Sequence, residues 1–205
     1  DADATSITAT ELAAIGAATT GTVTVTNAVN IIGDHDQLTA ALVTAGTKVV
    51  VSDATVLIND ADATSITATE LAAIGAATTG TVTVTNAVAI TGSTAEVIAA
   101  LVTEGTLVEV TDAAVIISDN PTIAELNAIA AKTTGVVTAT LAANSLAKLG
   151  ALTTASTDAI TITVNDADGT ALTAAKLSTL GGKTAGTVTV TNAVAITGDH
   201  DLSLI

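Results

Sequence analysis

Residues 1–29 and 60–88 are identical at all 29 positions. A chain that copies itself this closely must fold both copies into compatible local structure. Inside the copy, Gly-Thr-Val-Thr-Val-Thr-Asn-Ala-Val at 21–29 returns letter for letter at 80–88 and again at 186–194. Weaker versions end at Ala54, Ala113, Ala142 and Ala167, so the seven closing alanines recur every 25 to 33 residues. A period in this range predicts a solenoid, in which each repeat is too small to bury its own apolar face and stacks on its neighbours.

Composition supports thin coils over a deep globular core. There is no Phe, Trp, Tyr, Met or Cys and no Arg, while 49% of the residues are apolar. The interior must therefore be built from Ala, Val, Ile and Leu. The net charge of −15 should repel nucleic acid and anionic membrane. No apolar run approaches the ~18 residues of a membrane-spanning helix. Without cysteine, neither disulfides nor thiol chemistry operates. The chain starts at Asp1 and stops partway into a new coil, which reads as a fragment of something longer.

The 59-residue shift continues with substitutions to about residue 119, giving two-coil units at 1–59 and 60–118 and degenerate coils at 119–205. We take 1–205 as one array. Two periods alternate within it. Val23-Thr-Val-Thr alternates as a half-buried strand, with Val23 and Val25 facing in. Leu12/Ile15, Leu38/Leu42, Leu71/Ile74, Val97/Leu101, Leu126/Ile129, Leu146/Leu149 and Leu177/Leu180 have helical spacing. Thr8/Glu11, Thr67/Glu70, Ser93/Glu96 and Thr122/Glu125 fit the capping box, and Pro121 sits just ahead of the last. Gly21, Gly46, Gly80, Gly105, Gly135 and Gly186 follow the helices and are expected to end them in the left-handed conformation. The predicted fold is a right-handed α/β solenoid of about seven strand-helix coils. It has one parallel sheet (strands near 22–27, 48–53, 81–86, 107–112, 136–141, 160–165 and 187–192) and a layer of short helices.

Three motifs bear on function. Asn27, Asp53, Asn86, Asp112, Asp166 and Asn192 close successive strands and are expected to bond the backbone of adjacent coils. Asp-x-Asp pairs recur at Asp1/Asp3, Asp34/Asp36, Asp60/Asp62, Asp166/Asp168 and Asp199/Asp201. As caps they would satisfy helix amides. As metal ligands, Asp34, Asp36, Asp60, Asp62, Asp166 and Asp168 would hold calcium, the candidate cofactor. His35 and His200 share the context Gly-Asp-His-Asp and read as surface-loop residues, with zinc binding or proton shuttling as the alternative.

Catalysis finds little support, since no Ser lies in a nucleophile elbow and no Gly-rich loop with Lys offers a phosphate clamp. The blocks at 6–12, 17–21 and 89–101 resemble tandem repeats of giant secreted and cell-surface proteins of cyanobacteria and related marine bacteria. That resemblance implies an extracellular structural array serving motility, adhesion or a surface layer, and it transfers no catalytic residue. The expected function is a non-enzymatic module that spaces, coats or polymerises at a cell surface. Its expected partners are copies of itself or adjacent coils, end to end. The alternative is a ligand-binding solenoid, through calcium loops or through Thr-x-Thr rows (Thr24/Thr26, Thr83/Thr85, Thr138/Thr140, Thr161/Thr163, Thr189/Thr191) like those of ice-binding solenoids.

Overall fold

The computed structural model describes residues 2–44 and 46–198. Among them the chain forms a mixed α/β fold with parallel sheets and seven α-helices. In chain order the elements are β1 (Ser6–Thr8), α1 (Ala9–Ala17), β2 (Val23–Val25), β3 (Asn30–Gly33), α2 (His35–Leu38), β4 (Val49–Val51) and β5 (Thr55–Ile58). Next come β6 (Ser65–Thr67), α3 (Ala68–Ala76), β7 (Val82–Val84), β8 (Ala89–Gly92), α4 (Thr94–Leu101), β9 (Val108–Glu109) and β10 (Ala114–Ile117). The chain continues through α5 (Ile123–Ala130), β11 (Val137–Thr140), α6 (Leu146–Leu149), β12 (Ala159–Val164), β13 (Ala171–Thr173), α7 (Ala174–Gly181), β14 (Val188–Val190) and β15 (Ala195–Thr197). A wider π turn, Thr39–Val43, extends α2.

The helices start where local chemistry dictates. All four expected capping boxes form, and Asp34 with Gln37 makes a fifth at α2. Each box ties two orphan amides to side chains three residues apart. Most of the apolar helix pairs face inward, Leu71, Ile74, Val97, Leu126, Ile129 and Leu149 being 0% exposed, while Ile15 is 48% exposed.

The strands differ from expectation. Each expected strand is present, all but β12 shorter than expected, and a second short strand follows most Asn-Ala or Asp-Ala corners, as β3, β5, β8, β10 and β15. Every pairing is parallel, between residues separated by 21 positions (Thr138 and Ala159) to 26 (Val23 and Val49). The strands do not form one sheet. Among the described residues they fall into four, ordered β1-β3-β5-β7-β9, β14-β12-β11-β10-β8-β6, β13-β15 and β2-β4.

The cause is the connection between coils. Residues 59–67 add a loop (59–64) and the strand β6 ahead of α3, where β3 runs almost directly into α2. The chain is thereby advanced around the stack. So β7, the copy of β2, pairs with β5, which precedes a helix, and not with β4. β11 likewise pairs with β10, although residues 118–122 join β10 to α5 without an added strand. Strands of the two identical copies, β2 and β7, therefore lie in different sheets.

Candidate functional site

The repeated polar groups form a set of clasps between segments about 25 residues apart. The clearest is the Asp-x-Asp loop. Asp60 accepts the backbone N–H of His35 at 2.8 Å, capping the first turn of α2 from the following coil. Asp62, two residues on, accepts the N–H of Ala87 at 3.1 Å, in the coil after. Asp166 and Asp168 repeat the arrangement, taking the N–H of Leu146 at 2.7 Å and of Ala193 at 3.0 Å. The first acid thus reaches back and the second reaches forward.

The residue after the second acid completes the clasp. Ala63 has φ 62° and Gly169 φ 76°, and these left-handed conformations aim their N–H groups at the carbonyls of Ala87 and Ala193, both at 2.8 Å. Ala4 does the same in the first copy, with φ 60° and a 2.8 Å bond to Ala28. An L-residue pays roughly 1–2 kcal/mol for this conformation, so the bond must hold it there.

A second clasp, not foreseen from the sequence, is Thr-x-Gly. Thr78 accepts the N–H of Gly80 at 3.0 Å and donates its hydroxyl to the Ala54 carbonyl at 2.5 Å. Thr133 with Gly135 reaches Ala113, and Thr184 with Gly186 reaches Ile160. The glycines serve close approach: a Cβ on Gly80, Gly135 or Gly186 would lie 2.3 Å from a backbone oxygen of the preceding coil. Only Gly46 and Gly105 of the six expected left-handed glycines have positive φ. The recurrence of Thr two positions before Gly at 19/21, 78/80, 133/135 and 184/186 was the available signal.

Asx residues at the strand ends divide by context. Asn86 and Asn192 donate to the Asp60 and Asp166 carbonyls of the coil before them, the expected ladder. Asp53 instead accepts the neighbouring Ser52 hydroxyl at 2.9 Å. Asp158, 4% exposed, takes the N–H of Val137 at 2.9 Å, replacing the carbonyl that receives Val23 or Val82.

The six candidate cation ligands are spread over the start of α2 and the loops ahead of α3 and α7. Asp34 caps its own helix through Gln37, Asp36 is 86% exposed, and Asp60, Asp62, Asp166 and Asp168 each hold a backbone amide of a different segment. Among the described residues no three His, Cys, Asp or Glu side chains converge on a point that could hold a metal. Asp1, Asp199, Asp201 and His200 lie outside the described residues.

His35 is not a surface-loop side chain. It is 14% exposed, with Nδ1 2.7 Å from Asp60 and Nε2 3.6 Å from Asp36. Asp60 draws it in by bonding ring and backbone together. Burial of the ring opposes its charging, but the bond and charge of Asp60, with the charges of Asp36 and Glu70, raise its pKa above the ordinary histidine value.

The Thr-x-Thr rows are interrupted, partly by the residues of the neighbouring strands and partly by the sheet slip. Thr24 pairs with Val50 and Thr83 with Leu57 and Glu109, while Thr140 meets Thr161 and Thr163 meets Thr189. Thr85 and Thr191 turn their hydroxyls onto the Ile58 and Val164 carbonyls. A flat threonine lattice is not produced.

No family model, no curated protein and no solved structure matches this chain.

Proposed function

We propose that the chain is a structural repeat module, a right-handed α/β solenoid that spaces, coats or polymerises at a cell surface and catalyses no reaction. The observation that carries this reading is the two-way clasp of Asp60 and Asp62, repeated by Asp166 and Asp168. The residues best equipped for chemistry are occupied in joining one coil to the next. The strand pairings have the same character, since each joins segments roughly one coil apart. An acidic, cysteine-free surface suits a salty exterior, where its charge disfavours lateral clumping. No helix among the described residues is long and apolar enough to cross a membrane.

Small-angle X-ray scattering of the purified chain, with immunolocalisation in the source cells, tests the reading. An elongated particle found on the cell exterior is expected. A compact particle, or one confined to the cytosol, would sink it.

A further inference from the structure

A short helix leaves an apolar groove between two adjacent coils. Residues 166–194 align without a gap on residues 60–88, so α7 is the counterpart of α3. In the earlier unit α3 packs on α2 and on the π turn Thr39–Val43 that extends it. Here α7 packs on α6, which ends at Leu149 after a single turn. The missing second turn leaves a groove of about 320 Å³ between α6 and α7, at the small end of the roughly 300–1,000 Å³ of ligand sites. Leu146, Leu149 and Leu180 form its floor, 5%, 0% and 2% exposed, and Ala147 with the stems of Lys176 and Lys183 lines its sides. Lysine stems cover apolar surface while their ammonium groups stay in water.

The two lysines depart from the repeat. Lys176 stands where Glu70 closes the capping box of α3, and Lys183 stands where Ala77 follows that helix. The cap of α7 accordingly keeps the Thr173 half and lacks the reciprocal one. Among the described residues no carboxylate lines the groove, and neither ammonium group is ion-paired. The surroundings have the same sign. Residues 1–130 carry fifteen acids and one lysine, whereas residues 131–198 carry three acids and four lysines. Those three acids, Asp158, Asp166 and Asp168, all hold backbone amides. The groove therefore lies in the part of an acidic chain where positive charge prevails.

We propose that this groove binds a free aliphatic carboxylate, a fatty-acid anion of medium length, with its chain along Leu146, Leu149 and Leu180 and its carboxylate at the Lys176 and Lys183 rim. Charge complementarity sets the sign of the head group, and the leucines set the nature of the tail. An aromatic acid would find no ring to stack on, since the chain has no Phe, Trp or Tyr. A flexible alkyl chain needs only aliphatic contact. The net charge of −15 opposes an anionic bilayer, which leaves the free anion as the occupant.

Calorimetric titration of the full chain with decanoate, below its micelle concentration and at low salt, tests the assignment. A single saturable site is expected. Octanoate, shorter by two methylenes, should bind roughly ten-fold more weakly. Decanol, which lacks the charge, should bind weaker by roughly ten-fold or more. The decisive variant returns both lysines to the residues of the second copy, Lys176→Glu with Lys183→Ala. It restores the capping box, so its Tm should not fall, and its affinity for decanoate should drop by roughly ten-fold or more. Ala147→Phe, at an exposed position of α6, should fill the groove and block binding with the lysines intact, and it carries the same test should the double variant unfold. No saturable binding of decanoate, or decanol bound as tightly as decanoate, overturns the proposal. Unchanged affinity in the folded variants overturns it as well. Retention of the parent chain by phosphatidylglycerol vesicles, lost in the double variant, would assign the groove to a lipid surface and overturn the free-anion proposal.

Discussion

The carboxylate of Asp60 holds His35 twice, taking its backbone N–H at 2.8 Å and its ring Nδ1 at 2.7 Å across a separation of 25 residues. One side chain therefore caps a helix and, against the opposing burial of the ring, helps raise the His35 pKa. Asp119 holds Thr94 of the second two-coil unit in the same way, through its N–H at 2.7 Å and its hydroxyl. The clasp is conserved in geometry between the units, and only the first can titrate near neutrality.

A pH dependence follows for His35. Its folded pKa is raised above 6.5, so the folded state binds the proton more tightly than the unfolded chain does. The stabilisation is full below pH 6.5 and is lost as pH rises through the folded value. Urea denaturation at mildly acidic and mildly alkaline pH should show the parent chain more stable on the acidic side, and His35→Asn should flatten that difference. An unchanged slope in the variant would rule out the pair as its source.

The capping glutamates act in the opposite direction and at lower pH. Bonds from Thr67 hold Glu70 below its ordinary value of 4.5, and Glu11, Glu96 and Glu125 are lowered by Thr8, Ser93 and Thr122. Their contribution is present above pH 4.5 and disappears as pH falls through the folded values. Thr67→Ala should cost about 1 kcal/mol at neutral pH. Its cost should shrink in acid, as measured by chemical denaturation; an equal cost at both pH values would mean that Glu70 does not titrate with the cap.

Backbone strain at Ala63 is relievable. The third copy already carries Gly169 at the position where the first two hold Ala4 and Ala63 in left-handed conformation. Ala63→Gly should stabilise the chain by about 0.5–1 kcal/mol, and Gly169→Ala should destabilise it by at least as much. Denaturation midpoints for the two variants check both signs. Destabilisation by Ala63→Gly would place the strain elsewhere.

Identical glycines should respond differently to the same substitution. Gly80→Ala drives a Cβ to 2.3 Å from the Ala54 carbonyl oxygen, and the backbone must separate to admit it. A loss of about 3 kcal/mol or more is expected. Gly21→Ala, in the same sequence context, meets only a threonine side chain at 3.7 Å and should cost less than about 1 kcal/mol. Equal effects on thermal unfolding would refute the close approach of the two coils at Gly80.

What is local or periodic in this fold was legible in the letters alone. Helix starts at Thr8, Thr67, Ser93 and Thr122 were legible because a capping box closes within four residues, whatever the surroundings. The inward faces of α3, α4 and α5 were legible for a similar reason, since helical spacing alone puts Leu71 beside Ile74. Tertiary structure decided which segment lies against which. The extra loop at 59–64 shifts the stack by one strand, so β7 meets β5, and no local signal states that offset. The Asp-x-Asp motif was visible, but its division into one acid reaching back and one reaching forward was not, because the partners lie about 25 residues away on either side. Ile15 and Ile74 make the same point most simply. Their sequence neighbourhoods are the same, and one is exposed while the other is sealed. Burial is a property of what stacks against a residue and not of the letters around it.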